Sequence, residues 1–239
     1  MKKVKKSKTI YNIIIYMKNY IIDTAYLSLY VQLITGILGF IGIFIPLKQD
    51  DKILKDVLIL ETIVQFIEFI FYIILIYYFS SLKENITHLR YYDWVITTPL
   101  MLISTAFYFM YNNKAKNERI QFIETLIKEK VTFISMISFN TIMLLFGYLG
   151  EIKKLNKYVS VILGSIFFFL SFNQLQTFVG DNQINQTIYY IMFSLWALYG
   201  VASIMPYILK NTSYNILDLF SKNFYGLFLF GVIVYQSYM

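Results

Sequence analysis

Cysteine is absent from this chain of 239 residues. That excludes disulfides, thiolate nucleophiles and cysteine metal sites. The single histidine, His88, reads as a surface or loop contact, and no cluster of residues suggests a metal or ATP site. Charge is also scarce. Only 15% of residues are charged, against about 25% in a soluble domain. What replaces it is apolar: 58% of residues are hydrophobic and 19% aromatic. Apolar runs recur at roughly 20 residues, the length that crosses about 30 Å of hydrocarbon. The chain reads as an integral multi-pass membrane protein and not as an enzyme. Its net charge of +7 lies mostly in the tail and loops, as contacts to anionic headgroups of a lipid bilayer. No nucleic-acid module accompanies the lysines.

Seven spans are expected, at 21–47, 57–79, 87–110, 131–150, 158–179, 187–209 and 214–237. Most connections are short and polar, with "SSLKENI" joining the second span to the third and "KNTS" the sixth to the seventh. Only "NNKAKNERIQFIETLIKEK" is long. Its apolar spacing predicts that the fourth span extends beyond the bilayer as an amphipathic helix. Residues 1–20 form a basic amphipathic segment, predicted to be a short interfacial helix. "TIYNIIIYMKNY" lacks the small-residue cleavage site of a secretory signal. Residues 21–239 then make one all-α domain, a bundle of seven transmembrane helices. The positive-inside count reverses when the N-terminal tail is left out, so charge does not set the topology.

A charge at the bilayer centre costs about 2.5–3.5 kcal/mol on insertion scales. Even so, Glu61 and Glu68 lie in the second span, Arg90 and Asp93 in the third, and Asp218 and Lys222 in the seventh. Lys222 sits in "ILDLFSKNFYGLFLF", too deep to snorkel easily. Asp218, four residues earlier, shares its helix face. Arg90 and Asp93 share another face. Bringing the two helices together sets two cations against two anions. A purely structural ion cluster would be a poor source of net stability. The chemical reading is that a desolvated lysine is a Schiff-base nucleophile. A protonated imine needs a counter-ion, which Asp93 and Asp218 supply.

"RYYDWVITTPL" at 90–100 with "DLFSK" at 218–222 resembles the microbial (type I) rhodopsins, over all seven spans. The resemblance implies all-trans-retinal bound covalently to Lys222. It makes Asp93 counter-ion and primary proton acceptor, with Asp218 completing the complex. Arg90 orders the counter-ion water, and Thr97 hydrogen-bonds Asp93. Trp94, Thr98, Met101, Trp196 and Tyr199 wall the retinal pocket. Gly200 and Ser203 stand where the family usually has a proline and an aromatic. Met101 takes the colour-switch position, which implies green absorption. The set Asp93, Thr97 and Ser104 is similar to that of rhodopsins encoded by giant viruses of marine algae and protists. Ser104 occupies the place of the cytoplasmic carboxylate donor in pumps of the bacteriorhodopsin kind. The resemblance also implies an outside N-terminus, a host-cell membrane if the chain is viral, and a homo-oligomer.

Glu61, Gln65, Glu68 and Tyr72 fall at offsets 0, 4, 7 and 11, a narrow stripe on one helix. In lipid such a stripe is a polar seam facing the bundle interior. Glu61, at a depth similar to Ser104, can stand in for the missing proton donor. The two glutamates, about 10 Å apart, also suit a hydrated cation path. Their seven-residue spacing resembles that in channelrhodopsins and in one group of viral rhodopsins, and Asn223, directly after the lysine, resembles that viral group. The leading expectation is therefore a light-gated cation channel. The alternatives are an outward proton pump with Glu61 as donor and, further off, a sensory photoreceptor.

Overall fold

The computed structural model describes the backbone of residues 2–81, 87–116 and 118–239, and the side chains of 20–78, 87–116 and 118–239. Nine α-helices run through the described residues: α1 Lys2–Ile43, α2 Ile53–Ser81, α3 Arg90–Asn113, α4 Phe122–Lys128, α5 Lys130–Glu151, α6 Lys157–Gln176, α7 Gln183–Ser203, α8 Tyr207–Asp218 and α9 Phe224–Tyr238. A π-turn, Leu219–Asn223, joins α8 to α9. The three form one span of 32 residues, Tyr207–Tyr238. The spans close into a ring: α1 packs on α2, α2 on α3, α3 on α5, α5 on α6, α6 on α7, α7 on α8, and α8 back on α1.

Among the described residues, six helical segments are long and apolar enough to cross a membrane, and α7 is not one of them. Its first turn carries Gln183, Asn185 and Gln186, which lowers its apolar content. Its 21 residues still reach about 31 Å at 1.5 Å per residue. With α7 in the ring, the bundle has the expected seven spans. The basic N-terminal segment is helical and runs without a break into the first span, as one helix of 42 residues. Such a helix is roughly 63 Å long, about twice the hydrocarbon thickness, so part of it projects beyond the bilayer. Its side chains before Tyr20, and most of the expected "SSLKENI" connection, lie outside the described residues.

Two connections differ from expectation. "KNTS" is not a loop: Lys210–Ser213 lie inside α8, and the chain turns at Ile204–Pro206. Proline has no N–H to continue a helix and disfavours helical geometry in the residue before it, so the break falls there. The fourth-span extension exists as the separate helix α4. It is divided from α5 at Glu129, where the backbone leaves helical geometry (φ −96°, ψ 18°). Phe122 of α4 stacks on Phe107 of α3, ring centroids 4.4 Å apart.

Asparagines organise one end of the bundle. Asn182 caps α7 by accepting from the N–H groups of Ile184 (2.9 Å) and Asn185 (3.3 Å). The fully buried Asn185 Nδ2 lies within 3.1 Å of Phe109 O, Val179 O and Asn113 Oδ1. Its Oδ1 accepts from Asn112 Nδ2 at 2.7 Å. One side chain thus ties the end of α3 to the α6–α7 turn. Asn185→Ala leaves these buried groups unpaired, and about 1–3 kcal/mol of stability is expected to be lost. A lowered unfolding temperature in detergent checks this; an unchanged one refutes it.

Candidate functional site

The site forms where α2, α3 and the α8–π-turn segment face one another. Lys222 Nζ donates to Asp93 Oδ2 at 2.8 Å. It lies 3.3 Å from Glu68 Oε1 and 3.8 Å from Asp218 Oδ1. Asp218 Oδ2 accepts from Tyr72 OH at 2.6 Å and pairs with Arg90 Nη1 at 3.3 Å. Asp218 Oδ1 accepts from Tyr199 OH at 2.7 Å. Arg90 also hydrogen-bonds Asn215 through Nη2 and Asn211 through Nε. Its guanidinium lies over the rings of Tyr72 and Tyr214, 5.7 and 5.5 Å from their centroids. All five charged residues are buried.

The sequence reading set two cations against two anions. Glu68 adds a third anion, within ion-pair distance of the amine instead of further along a path. Three carboxylates then face two cations. The π-turn matters to this arrangement. An extra residue in a turn rotates the helix beyond it by about 100°. Lys222 and its neighbour Asn223 are thereby both buried, 2% and 0% exposed.

One expected contact is different. Thr97 Oγ1 donates to the backbone carbonyl of Asp93 at 3.0 Å, not to its carboxylate. A helical threonine readily bonds the carbonyl four residues back. Asp93 Oδ1 meets no hydrogen-bond partner among the described residues. Thr98 does the same as Thr97 toward Trp94 O (2.6 Å) and accepts from Asn140 Nδ2 at 2.7 Å, which links α3 to α5.

Next to the amine lies a mainly apolar cavity of about 230 Å³. Trp94, Thr98, Met101, Trp196, Tyr199, Gly200, Ser203 and Lys222 all line it, so the expected pocket residues come together. A long apolar chromophore ending in an aldehyde suits this donor set: tryptophans and methionine along the wall, one amine among carboxylates at the end. Ser203 Oγ turns back to Gly200 O at 2.6 Å.

Glu61, Gln65 and Glu68 form a buried seam on α2. Ser104 Oγ donates to Glu61 Oε1. Thr35 Oγ1 of α1 lies 2.9 Å from Gln65 Oε1 and 2.8 Å from Asn223 Oδ1. One hydroxyl thus bridges α1, α2 and the π-turn.

Residues 23–236 match the family described as "Bacteriorhodopsin-like protein". The chain belongs to that family, the microbial rhodopsins. Its members move ions or sense light and are not enzymes, and retinal bound to a lysine is their cofactor. This rhodopsin is 24% identical over 172 residues to the green-light absorbing proteorhodopsin of Gamma-proteobacterium EBAC31A08, covering 64% of each chain. The match thus spans less than two thirds of that relative's length. Its structure is similar to that of viral rhodopsin OLPVRII: TM-score 0.79, 32% identity, covering 90% of this chain and 97% of that one. The blue light-absorbing proteorhodopsin from Med12 shares the fold at TM-score 0.74 and 20% identity, with 92% of this chain and 100% of that one covered.

The sequence reading missed Asn211 and Asn215 around Arg90, and Ser28, Gln32 and Thr35 on α1. A signal existed. Asn211, Asn215, Asp218 and Lys222 stand at offsets 0, 4, 7 and 11, the same stripe found on α2. Ser28, Gln32 and Thr35 repeat its first three positions.

Two glycines on the cavity wall give opposite expectations. A Cβ at Gly147 would come within 2.9 Å of the Tyr91 ring, whereas one at Gly200 meets nothing within 4 Å. Gly147→Ala is expected to cost about 1–3 kcal/mol by overpacking, and Gly200→Ala nothing comparable. Unfolding temperatures of the two variants check this; equal behaviour refutes it.

Proposed function

We propose that Lys222 carries the retinal as an imine and that this rhodopsin passes cations along the α1–α2–π-turn seam when illuminated. Retinal supplies light absorption and the change of shape that ensues. The remaining roles belong to side chains. Asp93, 2.8 Å from Lys222 Nζ, is placed to take a proton from that nitrogen. Arg90, Tyr72 and Tyr199 hold Asp218 as a fixed anion beside it. Trp94 and Trp196 line and shape the cavity.

The observation that carries the cation path is a set of orphaned polar atoms. Gln32 Nε2 and Oε1, Glu61 Oε2, Gln65 Nε2 and Glu68 Oε2 are buried without a hydrogen-bond partner among the described residues. Buried polar groups are normally paired. A line of unpaired ones suits a seam that takes water and cations, and carboxylates along it favour cations over anions. The neighbouring Asn223 and Thr35 add uncharged oxygens.

The second reading is outward proton transport. It is favoured by the Ser104–Glu61 hydrogen bond, which places a carboxylate where a serine alone cannot donate. Both readings take the N-terminus as outside, so that Glu61 lies toward the cytoplasm in a multi-pass protein of the host membrane.

Lys222→Ala is expected to abolish covalent pigment, read as a colourless protein after incubation with retinal. Covalent retinal in that variant would refute the attachment site. Asp93→Asn removes the anion that holds the positive imine nitrogen, so absorption is expected to move to longer wavelength; an unchanged spectrum refutes the counter-ion role. Whole-cell current under light separates the two transport readings. A current that reverses with the cation gradient, and that Gln65→Leu abolishes while colour remains, supports the channel. An outward current at every voltage overturns it. In that case Glu61→Gln should slow proton uptake by about 10²-fold, read with a pH dye after a flash.

A further inference from the structure

A second cavity, of about 440 Å³, opens at the end of the bundle where α5, α6, α7 and α8 meet. Its lining includes four lysines, Lys153, Lys154, Lys157 and Lys210, against one glutamate, Glu151. We propose that this basin binds the phosphate of an anionic lipid headgroup.

The four cations are not equivalent. Lys210 Nζ is committed to Glu151 Oε2 at 2.8 Å, which ties α8 to the end of α5. Lys157 Nζ donates to Ile204 O at 3.2 Å, across the α7–α8 turn. These two frame the basin. Lys153 and Lys154 are exposed and form no ion pair among the described residues. Their placement is local chemistry. Lys153 N donates to Gly150 O (3.2 Å) and Lys154 N to Leu149 O (2.9 Å), the paired bonds of a Schellman ending. Lys153 occupies the left-handed position of that motif, φ 61°. Glycine is the usual residue there, and a side chain costs about 1 kcal/mol. A strained lysine is held where a glycine would relax the turn and remove a charge from the basin.

The surroundings select a lipid over a free anion. Beside the basin's Lys157, Val161 and Lys210, the starts of α6 and α8 expose Tyr158, Ile162 and Leu209, apolar side chains for acyl contact with an aromatic near the headgroup level. Basic pockets between membrane helices take phosphate headgroups on the cytoplasmic side; with the N-terminus outside, the α5–α6 and α7–α8 turns set this one at the outer face. The start of α6 also points here. Asn156 already caps two of its N–H groups, so the helix contributes its positive end and not free donors. Tyr91, Gly147 and Ser203 line both this basin and the chromophore cavity. An occupied basin therefore rests against the wall of the retinal site.

The full chain in detergent is titrated with phosphatidylglycerol, phosphatidylcholine or inorganic phosphate, and adducts are counted by native mass spectrometry. The wild type should retain phosphatidylglycerol over phosphatidylcholine. Lys153→Gly and Lys154→Gln should each weaken retention roughly fivefold, the equivalent of about 1 kcal/mol per lysine. Lys153→Gly also relieves the turn, so an unchanged or raised unfolding temperature excludes misfolding as the cause. Equal retention by both variants overturns the site. Inorganic phosphate bound as tightly as the lipid, and lost in the same variants, overturns the lipid assignment in favour of a free phosphate.

Discussion

The contact between Lys222 and its carboxylates is the constraint on which the rest of the bundle turns. Away from water, an ammonium must be paired, and removing one partner of a buried pair costs about 3–5 kcal/mol. The partners here come from three elements: Glu68 on α2, Asp93 on α3 and Asp218 at the end of α8. Satisfying one amine therefore fixes how three helices face each other. Arg90, wedged among Tyr72, Tyr214, Asn211 and Asn215, repeats the requirement one turn further along. The same charges that gather around one buried amine also decide the packing.

Lipid makes that packing legible. Outside the ring everything is apolar, so a helix has one direction in which to hide a polar stripe. The stripe on α2 is readable from spacing alone and faces inward. The matching stripe on α8 is equally regular, but its first member, Asn211, falls inside "KNTS", whose polar letters read as a loop. The difference traces to Pro206. The expected sixth span runs through Pro206 to residue 209, although a proline ends one helix readily and its missing N–H costs nothing in the first turn of the next. Once the break moves to Ile204–Pro206, Asn211 joins the stripe, and the arginine gains its partners.

Other features lie beyond local sequence. "ILDLFSKNF" contains neither glycine nor proline, so nothing in it announces a π-turn. The turn reflects its surroundings: Lys222 must reach α2 and α3 while Asn223 meets Thr35 of α1. The polar spacing puts Glu68 on the seam, but its approach to Lys222 depends on how α2 sits against the last span. Thr97 shows the opposite failure. The family resemblance implies a carboxylate contact, and the hydroxyl instead takes the nearer carbonyl of its own helix.

The channel and pump readings differ at one place in the chain. Both use the Lys222–Asp93 contact, and both use the α2 seam. They separate at Glu61, where Ser104 closes the seam by a direct hydrogen bond between α2 and α3. A proton can cross such a bond, since transfer along it needs no space. A hydrated cation cannot, because it needs α2 and α3 to part. The seam above that point is already underbonded at Gln32, Gln65 and Glu68, so entry of water there has polar atoms to satisfy. The energetic difference between the two functions thus reduces to the cost of parting Glu61 from Ser104. Each orphaned atom that gains a water on opening offsets part of that cost.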